Sequence, residues 1–205
     1  MPDLSLARFV SRLEPYRPGP PPRGRRAQRA AVAAVLRFPR GVAEVLLMQR
    51  AEHPEDRWSG QVSFPGGRWD EGDADLQATV VRETREEVGV DLDRSARLLG
   101  ALTPVRAVAR GRILPMTITP FVFQQVEEQE IVLSAEASGW FWLPLDAAER
   151  GALDDRHEYR LGPLPLTFPC WRYEGHVVWG LTFQMLRNLL RTVATDPSCE
   201  ATRGR

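Results

Sequence analysis

Lysine is absent from this 205-residue chain: all 27 of its Lys/Arg residues are arginine. A lysine nucleophile or Schiff base is therefore excluded, and any anion has to be held by guanidinium or backbone groups. Cysteine is scarce as well. Cys170 and Cys199 are the only two, too few for a zinc site of their own, and neither reads as functional. The three histidines, His53, His157 and His176, have spacings that fit neither a catalytic triad nor a zinc site, and there is no P-loop pattern. Covalent catalysis and kinase chemistry thus have no support. A charge excess is also missing, because 27 acidic residues balance the arginines to a formal net charge of zero. That argues against a nucleic-acid partner or a membrane-surface binder, both of which normally show a strong basic excess. No apolar run approaches the ~18–20 residues of a membrane span, and no charged-then-apolar leader opens the chain, so a cytoplasmic location is expected.

What is present suits one globular domain with a sizeable core: hydrophobic residues make up 43% of the chain and charged residues 26%. The expected organisation is an N-terminal segment over 1–29, a main domain over 30–195 and a polar tail over 196–205. Within the first segment, Leu4, Leu6, Phe9, Val10 and Leu13 are spaced as a short amphipathic helix, followed by the basic, proline-rich RPGPPPRGRRAQR from Arg17 to Arg29. That stretch reads as a solvated linker, with an anion-binding arm as the alternative. From Ala30 two apolar runs flank Pro39-Arg40-Gly41 as a hairpin, and a strand over 60–64 delivers Pro65 and two glycines. Strands are expected over 96–102, 115–125, 139–145 and 164–179, the last with a turn near Glu174-Gly175, and a helix over 181–193. Strands on both sides of a central helix, with a second helix at the end, give an α+β class.

The central helix is the most informative element. No Gly or Pro interrupts Leu76 to Val88, Asp73 or Asp75 is placed to cap its start, and Gly89 stands at its end. At about 100° per residue, Glu83, Glu86 and Glu87 fall on one arc, with Val81, Thr84 and Val88 on an adjacent apolar-leaning stripe. Carboxylates three and four residues apart repel. Arg82, one turn before Glu86, offsets only part of that charge, whereas a hard divalent cation takes oxygen ligands and bridges carboxylates to substrate phosphates. Upstream, Gly66-Gly67 permits close backbone approach, as a carbonyl ligand beside the helix requires.

Read together, Gly67 through Val90 resembles the Nudix box, G-x5-E-x7-R-E-U-x-E-E-x-G-U with U apolar. Arg82, Glu83, Glu86, Glu87, Gly89 and Val90 match it in register. Asp73 stands where the box has Glu, eight residues instead of seven separate it from Arg82, and Thr84 occupies an apolar position. The resemblance covers roughly 30–193 and implies a mixed sheet between helices in an α/β/α sandwich. It further implies a metal site of Gly67, Glu83, Glu86 and Glu87 for Mg²⁺ or Mn²⁺, and hydrolysis of a small-molecule nucleoside diphosphate derivative. Arg82 is expected to orient the site, and Glu86 or Glu87 to take the proton from water, with Glu136 as the alternative base. The segment from Leu46 to Ala51, followed by Gly60-Gln61-Val62-Ser63-Phe64-Pro65-Gly66-Gly67, is similar to the upstream motif of the coenzyme A pyrophosphatase branch, as are Pro115-Met116, Pro120-Phe121-Val122 and Val178-Trp179-Gly180. That implies cleavage of coenzyme A or its thioesters, with Arg50 and Arg57 holding phosphates or the adenine end. ADP-ribose, another dinucleotide or an oxidised nucleotide is the alternative substrate, a non-catalytic regulator is a further one, and a homodimer is left open.

Overall fold

The run AAVAAVL in strand β1 (Gln28–Arg37) has small and branched residues at both parities, so both faces of the strand can be covered. Both are: Ala31, Ala33 and Val35 join one apolar cluster, while Ala30, Ala34 and Leu36 join another. The computed structural model describes residues 3–21, 28–56, 58–109, 111–161 and 164–194. β1 lies at the centre of an eight-stranded mixed sheet. It runs antiparallel to β2 (Glu44–Arg50) and to β4 (Gly66–Arg68), and parallel to β7 (Arg112–Gln125) from Gln28↔Met116 to Leu36↔Gln124. β3 (Val62–Ser63) and β8 (Ala137–Pro144) pair with β2, and β5 (Ala96–Ala101) and β6 (Val105–Ala109) pair with β7.

Helices cover both faces of this sheet. On one, α2 (Leu76–Val88) sets Val80 and Val88 against Ala31, Val35, Leu46 and Met48. On the other, α1 (Leu6–Leu13) and α5 (Gly180–Ala194) enclose the larger cluster, with Phe9, Leu13, Leu186 and Leu189 almost fully buried. Two short helices, α3 (Leu92–Ser95) and α4 (Leu145–Glu149), link strands. A second, three-stranded sheet is built from β9 (Asp154–Leu161), β10 (Leu164–Tyr173) and β11 (His176–Trp179), and Trp171 anchors it edge-on against Phe183 of α5.

The hairpin at Pro39–Gly41, α2 and α5 lie where the sequence places them. Other features differ. β1 begins at Gln28, inside the expected linker, and Arg29 stacks its guanidinium 4.4 Å from the Trp69 ring. The strand expected over 60–64 is ladder-paired only at Val62–Ser63. The short amphipathic helix expected near the N-terminus is present as α1 and packs on the body, with Phe9 and Leu13 in the core and Arg8 Nε donating to Val193 O at 2.9 Å; the expected linker departs from a solvated one at Gly19, whose N–H donates to Thr103 Oγ1 at 2.9 Å. Arg23, Arg25, Arg26, Arg57 and the tail from 195 lie outside the described residues. Among the described residues no helix is long and apolar enough to cross a membrane.

Candidate active site

Helix α2 is fixed at both ends. Asp75 Oδ1 accepts the Ala78 N–H at 2.8 Å, and Gly89 at φ 73° closes the C-terminus by donating to Arg85 O at 3.1 Å. The docking stripe is Val80, Thr84 and Val88, all fully buried, with Val81 at its margin; the expected stripe is therefore corrected by one position. Thr84 tolerates burial because its hydroxyl donates to Val80 O at 2.7 Å, which explains a polar residue at an apolar place in the box. Glu87, expected on the carboxylate face, is only 3% exposed and lies between that face and the core.

Arg82 ties the carboxylates together. Its Nη1 donates to Glu83 Oε1 at 2.9 Å and Glu86 Oε2 at 3.1 Å, while Nε and Nη2 grip both oxygens of Asp73 at 2.9 Å. The longer loop with Asp in place of Glu thus ends on the arginine of the box. Hydrogen bonds from Arg82 outweigh burial and hold the Asp73 carboxyl far below its ordinary value of 3.8. A group with a depressed folded-state pKa stabilises fully above its unfolded value and loses that contribution as pH falls below it. Asp73→Asn should therefore cost about 1–3 kcal/mol at pH 7. In thermal unfolding the deficit against the parent protein should shrink as pH drops below about 4; an unchanged Tm at pH 7 would refute this role.

The glycine pair brings the sheet up against the helix. A Cβ on Gly66, at φ 144°, would lie 2.3 Å from Ala31 O, and its N–H donates to Glu87 Oε2 at 2.7 Å. A Cβ on Gly67 would lie 2.3 Å from Glu83 Cδ, so this glycine keeps space open beside a carboxylate. Burial pushes Glu87 up to about 7, against the opposing effects of the Gly66 N–H and of Arg50. Burial also raises Glu83 above its ordinary value despite Arg82, with the charges of Glu86 and Glu136 adding to it. Arg50 Nη1 stands 3.7 Å from Glu87 Oε1, and its Nε donates to Asp56 Oδ2 at 2.7 Å. Asp56 Oδ1 in turn accepts the Trp58 N–H at 3.0 Å.

These groups line one cavity of about 480 Å³. Glu83, Glu86 and Glu87 come to it from α2, Gly67 from β4, Arg50 from β2, and Glu136 from the exposed loop before β8; Ala51 N–H, bonded to Glu136 O at 2.8 Å, fixes that loop. Val32, Phe64, Met116, Ile118, Leu181 and Met185 supply its apolar lining. Every expected site residue except Arg57, which lies outside the described residues, is therefore brought to the same cavity or, for Arg82, to the carboxylates beside it. Among the described residues no three acidic, thiol or imidazole groups already converge as a coordination shell, because Glu86 and Glu83 are turned toward Arg82. The donor set nonetheless fits a hard cation: all oxygen, mostly carboxylate, with the space left by Gly67 directly against Glu83. Asp56, Trp58 and Thr182, which also line the cavity, carry no signal in the sequence. Asp56 lies in an irregular loop without periodicity, and the Thr182 hydroxyl, bonded to Val62 O at 2.9 Å, is one of many on a helix.

A model of the Nudix domain matches residues 27–162. Over 198 residues, 95% of this chain and 97% of the relative, the sequence is 33% identical to an uncharacterised Nudix hydrolase, NudL, of Salmonella dublin. The fold is similar to that of an Ap4A hydrolase of C. elegans (TM-score 0.50, 22% identity, 60% of this chain and 84% of that one). It is also similar to that of a MutT/nudix family protein of Enterococcus faecalis (TM-score 0.50, 17% identity, 92% and 70%). The chain belongs to the Nudix family and has the Nudix fold. It is an enzyme, a Nudix pyrophosphohydrolase.

Proposed function

We propose that the cavity hydrolyses the pyrophosphate bond of coenzyme A or its thioesters, giving adenosine 3′,5′-bisphosphate and 4′-phosphopantetheine or its acyl form. One observation carries this reading: Arg50, Gln61, Val62, Ser63 and Phe64, from the segment similar to the coenzyme A pyrophosphatase motif, line the same cavity as the three helix carboxylates. A substrate with a charged nucleotide half and a long thiol arm of methyl and methylene groups interspersed with amides needs such a mixed lining.

In this reading Glu83, Glu86, Glu87 and the Gly67 carbonyl would hold Mg²⁺ or Mn²⁺. Such an ion, when bound, neutralises charge on the pyrophosphate and lowers the pKa of a water. Arg82 acts as a positioning residue, fixing Glu83 and Glu86 through its two bonds to them. The Gly66 N–H and Arg50 hold Glu87 from opposite oxygens. Glu86 or Glu87 takes the water's proton, and Glu136 is the alternative base, since all three border the cavity. The reading includes a homodimer and a cytoplasmic setting.

A substrate panel with Mg²⁺ and Mn²⁺, products resolved by mass, tests the substrate. Coenzyme A should exceed ADP-ribose in kcat/KM by about tenfold or more, equivalent to about 1.4 kcal/mol of transition-state binding. The opposite ranking would assign the cavity to ADP-ribose, another dinucleotide or an oxidised nucleotide.

A further inference from the structure

β9 is the outer strand of the small sheet. β10 pairs along one of its edges from Asp154↔Trp171 to Leu161↔Leu164, and among the described residues no strand pairs along the other. An eight-residue edge of N–H and C=O groups is a template for another strand. Its sequence, DDRHEYRL, decides which strand. Asp154, Arg156, Glu158 and Arg160 are all exposed and, by the alternation of a strand, share one face.

Placing a second copy of β9 antiparallel about a two-fold axis through His157 sets Arg156 opposite Glu158 and Asp154 opposite Arg160, each pair occurring twice. The neighbouring registers fail. An axis through Glu158 sets Arg156 against Arg160, and one through Arg156 sets Asp154 against Glu158. Charges that merely keep an edge strand solvated need no such antisymmetry, and here the pattern both favours one register and repels those beside it. The strand is also well supported. On its other face His157 and Tyr159 pack on Trp179, with centroids 4.5 Å and 5.0 Å away, and Phe168 completes the cluster at 5.8 Å from the same ring. Asp154 is held in place by Trp171 Nε1, which donates to its Oδ1 at 3.0 Å.

We infer that β9 is a homodimer interface, in which two copies of this chain pair antiparallel through β9 about His157 and join their three-stranded sheets into one of six strands. This interface does not depend on which substrate the cavity takes. Sedimentation across a concentration series should give a species of twice the 23.1 kDa chain mass. Arg156→Glu and Glu158→Arg should each raise the dimer Kd by about tenfold or more, about 1.4 kcal/mol, without changing kcat. Mixing the two variants should restore the dimer, because one copy then carries positive charge at both positions and the other negative charge at both. The double variant Arg156→Glu/Glu158→Arg keeps all four opposite-charge pairs and should dimerise like the parent protein. A parent protein that is monomeric throughout the series would overturn the interface. So would a single variant that dimerises as tightly as the parent, or a mixture of two folded single variants that stays monomeric.

Discussion

Replacing Glu87 by glutamine should lower kcat by about 10²–10⁴-fold, because the charge stabilisation that a carboxylate-held cation gives the transition state is several kcal/mol. Glutamine retains the shape and an acceptor for the Gly66 N–H but neither ionises nor takes a proton. Loss of fold would not explain the result. Burial pushes Glu87 up to about 7, so ionising it at pH 8 costs stability that the uncharged amide does not. The Tm of the metal-free variant at pH 8 should therefore match or exceed that of the parent protein. Parent-like turnover in both Glu87→Gln and Glu86→Gln would remove the carboxylates from the reaction.

The second large effect is on folding. Gly66→Ala puts a Cβ 2.3 Å from Ala31 O and 2.6 Å from Val32 Cα, both backbone atoms of the central strand, at a φ of 144° that side chains rarely adopt. Neither obstacle yields without moving β4 from β1, so the loss should exceed about 3 kcal/mol, or about 6–12 °C in Tm for a chain of this size. Gly67→Ala makes a useful contrast. Its Cβ would lie closest to the Cδ and two oxygens of Glu83, the far end of a side chain that can swing away. That variant should keep its Tm and lose turnover, because the displaced carboxylate leaves the site. Equal Tm losses for the two variants would contradict the separate roles assigned to them.

The site was more legible in the sequence than the sheet around it. Glu83, Glu86 and Glu87 share an arc because an uninterrupted helix runs from a capping Asp75 to Gly89, and both caps are local features. The paired glycines also announce a close approach. What sequence could not supply was the depth of each residue: Glu87 and Glu86 are adjacent, yet one is 3% exposed and the other's side chain 59%. That difference comes from where α2 is set against β1, a tertiary contact with no counterpart in periodicity. β9 was missed because DDRHEYRL buries neither face fully and offers no apolar alternation, and β6 because its five residues pair to β7 through an irregular register. The linker expected from Arg17 to Arg29 differs at its end, where Gln28 and Arg29 belong to β1 through a parallel partner, β7, that is distant in sequence. The spacing of Phe9 and Leu13 does mark α1 as amphipathic, and the helix it packs on, α5, is again a distant contact.

Turnover of coenzyme A with and without added Mg²⁺ or Mn²⁺, with every product resolved by mass, tests the carboxylate metal site and the bond cleaved in one experiment. Two phosphomonoester products, adenosine 3′,5′-bisphosphate and 4′-phosphopantetheine, should form only when the divalent ion is present and be abolished by chelation. Equal turnover in the presence of chelator would contradict the carboxylate metal site, and cleavage at any bond other than the pyrophosphate would contradict the proposed reaction.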